Sequence, residues 1–268
     1  MSAIDELFRS LRSSGRKALM PFVTAGDPDL DFTAELIRRL AARGCGLFEL
    51  GIPYSDPIAD GPVIQASYTR ALDRKIKLAD ILAMVGRLTP QLAAPMVTMV
   101  SYSIVFRHGV ERYVADAKAA GVSGAIVPDL PVEESGPLSE ACRREDFSLV
   151  QLITPTTPRD RALRIAERTT GFIYYVSVAG ITGERTALPP EIVDNVGWLR
   201  QQTPLPICIG FGISRPEHVR MLAPVADGLI VGSAIVRRIA ETSTKPREQV
   251  LDEIAAYAAE LLAAMQLP

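Results

Sequence analysis

The sequence has few of the residues on which several common chemistries depend. Only 3 of its 268 residues are cysteine and 2 are histidine. Cys45, Cys142 and Cys208 are widely spaced and form no CxxC pair, so we expect buried free thiols in a reducing cytoplasm rather than a disulfide framework. His108 and His218 lie far apart and show no metal-site spacing. We expect His108 in a loop and His218 on the surface of a helix.

Lysine is also scarce, and its positions exclude one class of aldolase. None of the five lysines follows a predicted strand at its carboxyl end, where the active site of a barrel enzyme lies. A Schiff-base mechanism, which needs such a lysine, is therefore excluded. No nucleophile elbow or Walker loop appears in the sequence. The five residues are Lys17, Lys75, Lys77, Lys118 and Lys245.

Neither excess charge nor a long apolar run is present. The formal net charge is -2, whereas nucleic-acid-binding proteins usually carry a clear basic excess. The longest uncharged run, Leu88 to Phe106, contains prolines and polar residues, so we do not expect a membrane span. The charged stretch before Arg16 predicts no signal peptide and hence a cytoplasmic protein.

Short apolar runs alternate with helical patterns along the chain. The eight runs are rich in β-formers and almost continuously apolar, as strands covered on both faces should be. Eight β/α units predict a single-domain (β/α)8 TIM barrel over residues 1–268, with an extra N-terminal helix and a C-terminal helix. An open doubly wound sheet is the rival, but TAGDP after the first run is not GxGxxG. The predicted strands are Leu19–Val23, Leu47–Leu50, Met96–Ser101, Gly124–Val127, Leu149–Ile153, Phe172–Val176, Ile207–Ile209 and Gly228–Val231.

Glu49 is the first candidate for catalysis because it interrupts an apolar strand. Alternation places Leu47, Glu49 and Gly51 on one face of that strand. Either face of a barrel strand is covered, so burial should raise the pKa of Glu49 toward neutrality. Such a carboxyl suits general acid/base catalysis, although a structural glutamate in a salt bridge fits the same pattern.

The loop after Glu49 carries two further carboxylates. Asp56 and Asp60 lie among three prolines and a glycine, in a loop too long for a simple βα turn. Long loops over active sites are often lids. Aspartate beside proline and glycine is also a common turn former or helix N-cap, so both interpretations stay open.

A phosphate site is predicted where the last three strands end. Gly183, Gly210, Gly212, Gly232 and Ser233 follow strands 6, 7 and 8. Phosphate sites of such barrels form from loops at this place, with backbone N–H groups at a helix N-terminus. A single glycine there is usually only a turn, so the prediction depends on the coincidence at three consecutive strand ends. The residue set suits proton transfer on a phosphorylated small molecule without a cofactor.

The segment from Phe48 to Gln65, FELGIPYSDPIADGPVIQ, closely resembles the signature of the tryptophan synthase alpha chain family. Further pieces match in the family's order over nearly the whole chain. TAGDP, PDLPVEE and GITG are among them, and GFGIS and GSAIV are less specific because other phosphate-binding barrels have similar pieces.

The resemblance implies a retro-aldol cleavage of indole-3-glycerol phosphate to indole and glyceraldehyde 3-phosphate. It implies that Glu49 is the general acid/base and that Asp60 accepts a hydrogen bond from the indole N–H. Tyr174 would orient Glu49, and the loop with Thr182 and Gly183 would close over the substrate. The residues implied to contact the indole ring are Phe22, Val100, Tyr102, Val127, Ile153, Phe211 and Ile230. Those implied to hold the phosphate are Gly183, Phe211, Gly212, Gly232 and Ser233.

The resemblance also implies a partner. The family works with a beta chain that carries pyridoxal phosphate, in an alpha2beta2 heterotetramer, and this chain itself would hold no cofactor. The surface implied to face the partner is the loop from Pro53 to Pro62, with the segments after Tyr102 and Asp129. The alternatives are a stand-alone lyase, an idle barrel that only activates a partner, and another phosphate barrel such as a phosphosugar isomerase.

Overall fold

Eight short strands of the computed structural model pair in chain order and close into a parallel barrel, in which β8 pairs with β1. The structure describes residues 2–57, 60–176, 191–210 and 212–266. All eight predicted strands and the closed barrel are confirmed, while the open sheet is wrong. The strands are β1 Ala18–Thr24, β2 Phe48–Gly51, β3 Met96–Met99, β4 Gly124–Ile126, β5 Ser148–Ile153, β6 Ile173–Val176, β7 Ile207–Gly210 and β8 Gly228–Val231.

Helices surround this barrel in the part of the chain that the structure describes. Most contain an apolar stripe at helical spacing that packs on the strands, as in α2, where Phe32, Leu36, Ile37 and Leu40 are buried. The helices are α1 Ala3–Ser13, α2 Leu30–Ala42, α3 Pro62–Asp73, α4 Leu78–Leu88, α5 Tyr102–His108, α6 Val110–Ala119, α7 Gly136–Arg144, α8 Arg159–Arg168, α9 Glu191–Gln202, α10 Pro216–Leu222, α11 Ser233–Ala240 and α12 Arg247–Met265.

Strand alternation divides the apolar residues into two clusters. Phe22, Leu47 and Tyr174 belong to the cluster that fills the barrel, whereas their neighbours Val23 and Phe48 belong to the cluster between strands and helices. Glu49 shares the inward face with Leu47, as the alternation predicts. Its carboxyl group is therefore enclosed by the barrel and not by the surrounding helices.

The N-terminal helix covers the amino ends of the strands. Ile4 and Phe8 are fully buried in the inner cluster, and the rings of Phe8 and Phe172 lie 5.9 Å apart. Arg12 donates through Nε to Oδ1 of the buried Asp227 at 2.9 Å. Burial alone would raise the pKa of Asp227, but the hydrogen bond from Arg12 and the backbone N–H of Ile207 help lower it below its usual value. Because this end of the barrel is closed, a substrate must enter from the carboxyl ends.

Two helices of the structure are missing from the sequence prediction. The proline-rich loop conceals the start of α3, since proline at the first helical position also reads as a turn signal. The seven residues of α5 are too few to establish a helical period, and Ser101 caps them with its side chain. The sequence pattern predicts a helix over Glu133–Glu145, but α7 begins later, at Gly136. A turn closed by the N–H of Glu134 to the carbonyl of Pro131 comes first.

The placement of both histidines differs from the expectation. His218 is only 5% exposed, so the prediction of a surface position is wrong. Its Nδ1 accepts the backbone N–H of Ser214, which fixes the turn before α10. His108 ends α5 rather than lying in a loop, and its Nε2 lies 2.7 Å from Oδ2 of Asp116. Both side chains thus support local structure.

No helix within the described residues is long and apolar enough to cross a membrane.

Candidate active site

A cavity of about 200 Å³ opens at the carboxyl ends of β2, β3 and β4. Its lining combines apolar side chains with carboxylates and hydroxyls. This is the end of the barrel at which active sites of the fold form. The lining residues are Ile52, Tyr54, Asp56, Pro57, Asp60, Tyr68, Met99, Val100, Ser101, Pro128 and Asp129.

Glu49 lies in the barrel below this cavity. It is 1% exposed, and neither carboxylate oxygen has a hydrogen-bond partner among the described residues. Burial raises its pKa well above the usual value. The structural interpretation of Glu49 required a salt bridge, and none is seen in the described parts of the chain. Burial of an unpaired carboxyl favours its protonated form, which can act as an acid.

Asp60 stands at the rim, just before Gly61 caps α3. Its backbone N–H donates to the carbonyl of Pro57, and its carbonyl accepts from Nε2 of Gln65 at 2.7 Å. These bonds hold the backbone and leave the side chain at the cavity. Burial raises the pKa of the Asp60 carboxyl to about 6. At neutral pH Asp60 is therefore mostly charged, while burial shifts Glu49 toward its neutral form.

The charges of Glu49 and Asp60 both act on two tyrosines. Burial raises the pKa of Tyr68 and of Tyr174 well above the usual value, and the two carboxylates raise both further. Tyr174 faces the barrel interior, whereas its neighbour Tyr175 belongs to the outer cluster. The hydroxyl of Tyr174 lies so close to Gly210 that a side chain there would overlap it. Two carboxylates and two phenols thus surround one space.

A buried ion pair anchors the helix that follows Asp60. Asp27, 1% exposed after β1, accepts from Nε of Arg70 at 2.9 Å, from Nη2 of Arg70 at 2.6 Å and from Oγ of Ser67 at 2.5 Å. Both partners are on α3, so the pair ties α3 to the end of β1. The position of α3 sets where Asp60 and Tyr68 meet the cavity.

We expect Asp27→Asn to lower the free energy of unfolding by about 2 kcal/mol, because it leaves Arg70 without its counter-charge. The cost stays below that of a fully enclosed pair because Arg70 is 37% exposed. Urea unfolding measures the change. The matched control is Glu111→Gln, which breaks the exposed pair with Arg144 and should change stability little. Equal losses in the two variants would contradict an anchoring role for Asp27.

The residues expected around an indole ring divide into two groups. Phe22 and Ile230 belong to the inner cluster, and the ring of Phe22 extends over Gly51. By contrast, Val100, Val127 and Ile153 group with the cluster between strands and helices, and Tyr102 packs against that cluster. Val100 nevertheless lines the cavity, because it lies just beyond the end of β3. The inward-facing residue there is Met99, which the sequence did not single out.

The predicted phosphate side is described only in part. Gly232 is the residue before α11, and Ser233 is the first residue of that helix. The backbone of Gly212 has φ +80°, a conformation that favours glycine. A helix N-terminus with glycine before it presents N–H groups to an anion. Gly183 and Phe211, which belong to the same prediction, lie outside the described residues, as does Thr182 of the predicted closing loop.

Comparison with known proteins supports the resemblance over nearly the full length of the chain. The family model described as tryptophan synthase alpha chain matches residues 8–266. The alpha chain of Rhodopirellula baltica is 59% identical over 263 residues, which cover 97% of this chain and 95% of that one. The chain belongs to the tryptophan synthase alpha chain family. It is therefore a carbon–carbon lyase of tryptophan biosynthesis, as the resemblance implied.

Solved structures of the alpha chain family share the fold. Tryptophan synthase subunit alpha from Legionella pneumophila superposes with a TM-score of 0.90 at 33% identity, covering 99% of this chain and 98% of that one. A structure of Mycobacterium tuberculosis tryptophan synthase gives 0.90 at 31% identity, covering 100% and 99%. These similarities confirm the barrel.

Two polar residues of the cavity region were missed in the sequence. Thr24 ends β1 on the inward face, and its buried hydroxyl has no partner among the described residues. Alternation from Phe22 was the signal that could have found it. Tyr68 is buried on α3, a helix that the sequence did not reveal. Both add hydroxyl groups to a site that the alpha chain motif describes mainly by its carboxylates.

The lining of the cavity includes two further aspartates. Asp129 accepts from Oγ of Ser101 at 2.7 Å and from the backbone N–H of Tyr102 at 2.8 Å, at the start of α5. This use of a carboxylate at a helix N-terminus is structural. Asp56 is exposed and accepts from Oγ of Ser55 at 2.6 Å. No group of three potential metal ligands occurs in the described ranges.

Proposed function

We propose that this chain cleaves indole-3-glycerol phosphate to indole and glyceraldehyde 3-phosphate, with Glu49 as general acid/base and Asp60 as acceptor of the indole N–H. The observation that carries the proposal is a pair of carboxyls with separately raised pKa values, Asp60 at the cavity and Glu49 below it, where Glu49 has no hydrogen-bond partner among the described residues. Environments that separate the pKa values of two carboxyls are typical of acid/base sites.

The substrate would span the mouth of the barrel. Its phosphate would lie at the N-terminus of α11, against Gly212, Gly232 and Ser233, and against Gly183 and Phe211. Its ring would lie beside Phe22 and Ile230, with Val100, Tyr102, Val127, Ile153 and Phe211 around them. This orientation places indole C3 toward Glu49 and the ring nitrogen toward Asp60, because the two carboxyls lie at different depths of the barrel.

Bond cleavage needs two proton transfers, and one group can carry out both. Neutral Glu49 donates a proton to indole C3, which makes the ring an electron acceptor. The resulting Glu49 carboxylate then takes the proton of the adjacent side-chain hydroxyl. As that oxygen forms the aldehyde, the carbon–carbon bond breaks and its electron pair returns to the ring. Glu49 ends protonated, as it began.

Asp60 has a different role in this scheme. Protonation at C3 places positive charge on the ring and its nitrogen. A charged carboxylate that accepts the N–H stabilises this cation, most strongly where water is excluded. The pKa of about 6 leaves Asp60 largely ionised at neutral pH. Tyr174 would hold Glu49 in place, and Thr182 would help close the site.

A coupled assay for glyceraldehyde 3-phosphate tests the proposal. We expect the purified chain to release the aldehyde from indole-3-glycerol phosphate at a measurable rate. Competition with indole-3-propanol phosphate, a non-cleavable analogue, should inhibit this activity. A chain that turns over no substrate with or without a beta chain would be an idle barrel. Tighter binding of phosphosugars than of the analogue would favour an isomerase.

The partner is part of the same proposal. A beta chain carrying pyridoxal phosphate, in an alpha2beta2 assembly, would cover the loop from Pro53 to Pro62 and the segments after Tyr102 and Asp129. In the segment after Tyr102, Phe106 is 70% exposed, as an interface residue would be in the free chain. Adding a beta chain to the assay should raise the rate strongly. An unchanged rate would favour the stand-alone lyase.

The remaining expectations complete the proposal. The chain itself would bind no cofactor, since the scheme moves only protons, and the enzyme would be cytoplasmic. Residues 1–268 would form one domain, because α1 and α12 both bury their apolar faces against the barrel and its helices.

A further inference from the structure

Tyr68 has a position in the site that the motif does not explain. It lies on the buried face of α3 with Ile64, Ser67 and Ala71. Its hydroxyl is 3.1 Å from the point that a Cβ would occupy at Gly51. Gly51 is two residues beyond Glu49 on the same inward face, so this hydroxyl lies one side-chain layer nearer the barrel mouth than Glu49.

The direction of α3 turns this hydroxyl toward Asp60. Asp60 directly precedes the residue that caps α3, and Tyr68 follows eight residues later. Side chains on a helix lean toward its N-terminus, so the phenol of Tyr68 extends back along α3 toward Asp60. Both residues line the same cavity. Of the two carboxylates that raise the pKa of Tyr68 after burial, Asp60 has the larger effect.

The Tyr68 hydroxyl and the Asp60 carboxylate can form a hydrogen bond with each other. Among the described residues, no hydrogen bond engages the hydroxyl of Tyr68 or the carboxylate of Asp60. The phenol stays protonated at any working pH because its pKa is raised, so it can only donate to a carboxylate. Ser67 and Arg70, on either side of Tyr68, hold α3 to Asp27. The donor is thus preorganised.

We propose that the Tyr68 hydroxyl donates a hydrogen bond to the Asp60 carboxylate and thereby positions it for the indole N–H. This inference rests on the proposed function of Asp60. A carboxylate has lone pairs enough to accept from both the phenol and the ring nitrogen. Tyr68 is a positioning residue in this scheme, since it acts through Asp60 and not on the reacting atoms.

The test is Tyr68→Phe, which removes the hydroxyl and keeps the ring. A hydrogen bond to the charged form lowers a carboxyl pKa, so its loss should move the acidic limb of the kcat/KM profile upward by about one pH unit. On the acidic limb, kcat/KM of the variant should be about tenfold lower than that of the parent at the same pH. Thermal unfolding should change little, because the phenylalanine ring keeps the packing of Tyr68 and only one hydrogen bond is lost. Carbon-13 NMR titration of Asp60 should show the same shift without any substrate.

The matched control is Tyr113→Phe. Tyr113 is equally buried, but it bonds Oγ1 of Thr98 outside the cavity, so its loss should leave the pH profile in place. An Asp60 titration that is the same in Tyr68→Phe and the parent would overturn the inference. That result is distinct from failure of the proposed function, in which the parent chain itself cleaves no substrate.

Discussion

Replacing Glu49 with glutamine is expected to lower kcat by about 10³-fold, because the amide can neither donate a proton to indole C3 nor take one from the hydroxyl. Glutamine has nearly the same shape, so KM should change little. The assay is single-turnover release of glyceraldehyde 3-phosphate at saturating substrate. The control is Glu260→Gln on α12, an exposed residue far from the cavity, which should retain full activity. A loss of less than about tenfold in Glu49→Gln would show that another group moves the proton.

The stability of Glu49→Gln provides an independent check. Burial raises the folded pKa of Glu49 above the unfolded value of 4.5. The folded state therefore binds this proton more tightly, and stability is highest below pH 4.5 and falls as the pH rises toward the folded pKa. Glutamine does not titrate, so the variant does not lose stability in this way as the pH rises. The variant should be at least as stable as the parent at pH 7, as measured by urea unfolding, although it is inactive.

The barrel was predictable from the sequence because its signals are local. Strands covered on both faces must be apolar almost throughout, and each of the eight runs satisfies this. Glu49 was predictable for the same reason, because both faces of such a strand are covered and burial of a charged carboxyl on either face costs free energy. The inward direction of its side chain followed from a period of two residues. Only the distances, and the absence of a partner for Glu49 among the described residues, required the structure.

The parts that were missed depend on contacts distant in sequence. The helix of Tyr68 is concealed by prolines, and its position depends on Asp27, which is 43 residues from Arg70. Nothing near Tyr68 in the sequence indicates that its hydroxyl meets Gly51. Likewise, the burial of His218 follows from its bond to the turn at Ser214 and not from the pattern of its own helix. Val100 shows the opposite case. Alternation predicts that its side chain points away from the barrel interior, but its position just beyond the end of β3 places it at the cavity.

Asp60→Asn is expected to lower kcat/KM by about 10²-fold at pH 8, since a neutral amide stabilises the ring cation less than a carboxylate does. The pH dependence should change as well. In the parent, protonation of Asp60 should lower kcat/KM as the pH falls through about 6, because the carboxyl then no longer bears the charge that stabilises the cation. Asparagine does not titrate, so this limb should vanish in the variant. Its kcat/KM should stay near the low value that the parent reaches when Asp60 is protonated. Asp73→Asn, at the exposed end of the same helix, should keep both the rate and the limb. An acidic limb that survives in Asp60→Asn would assign the titration to another group and leave Asp60 without its electrostatic role.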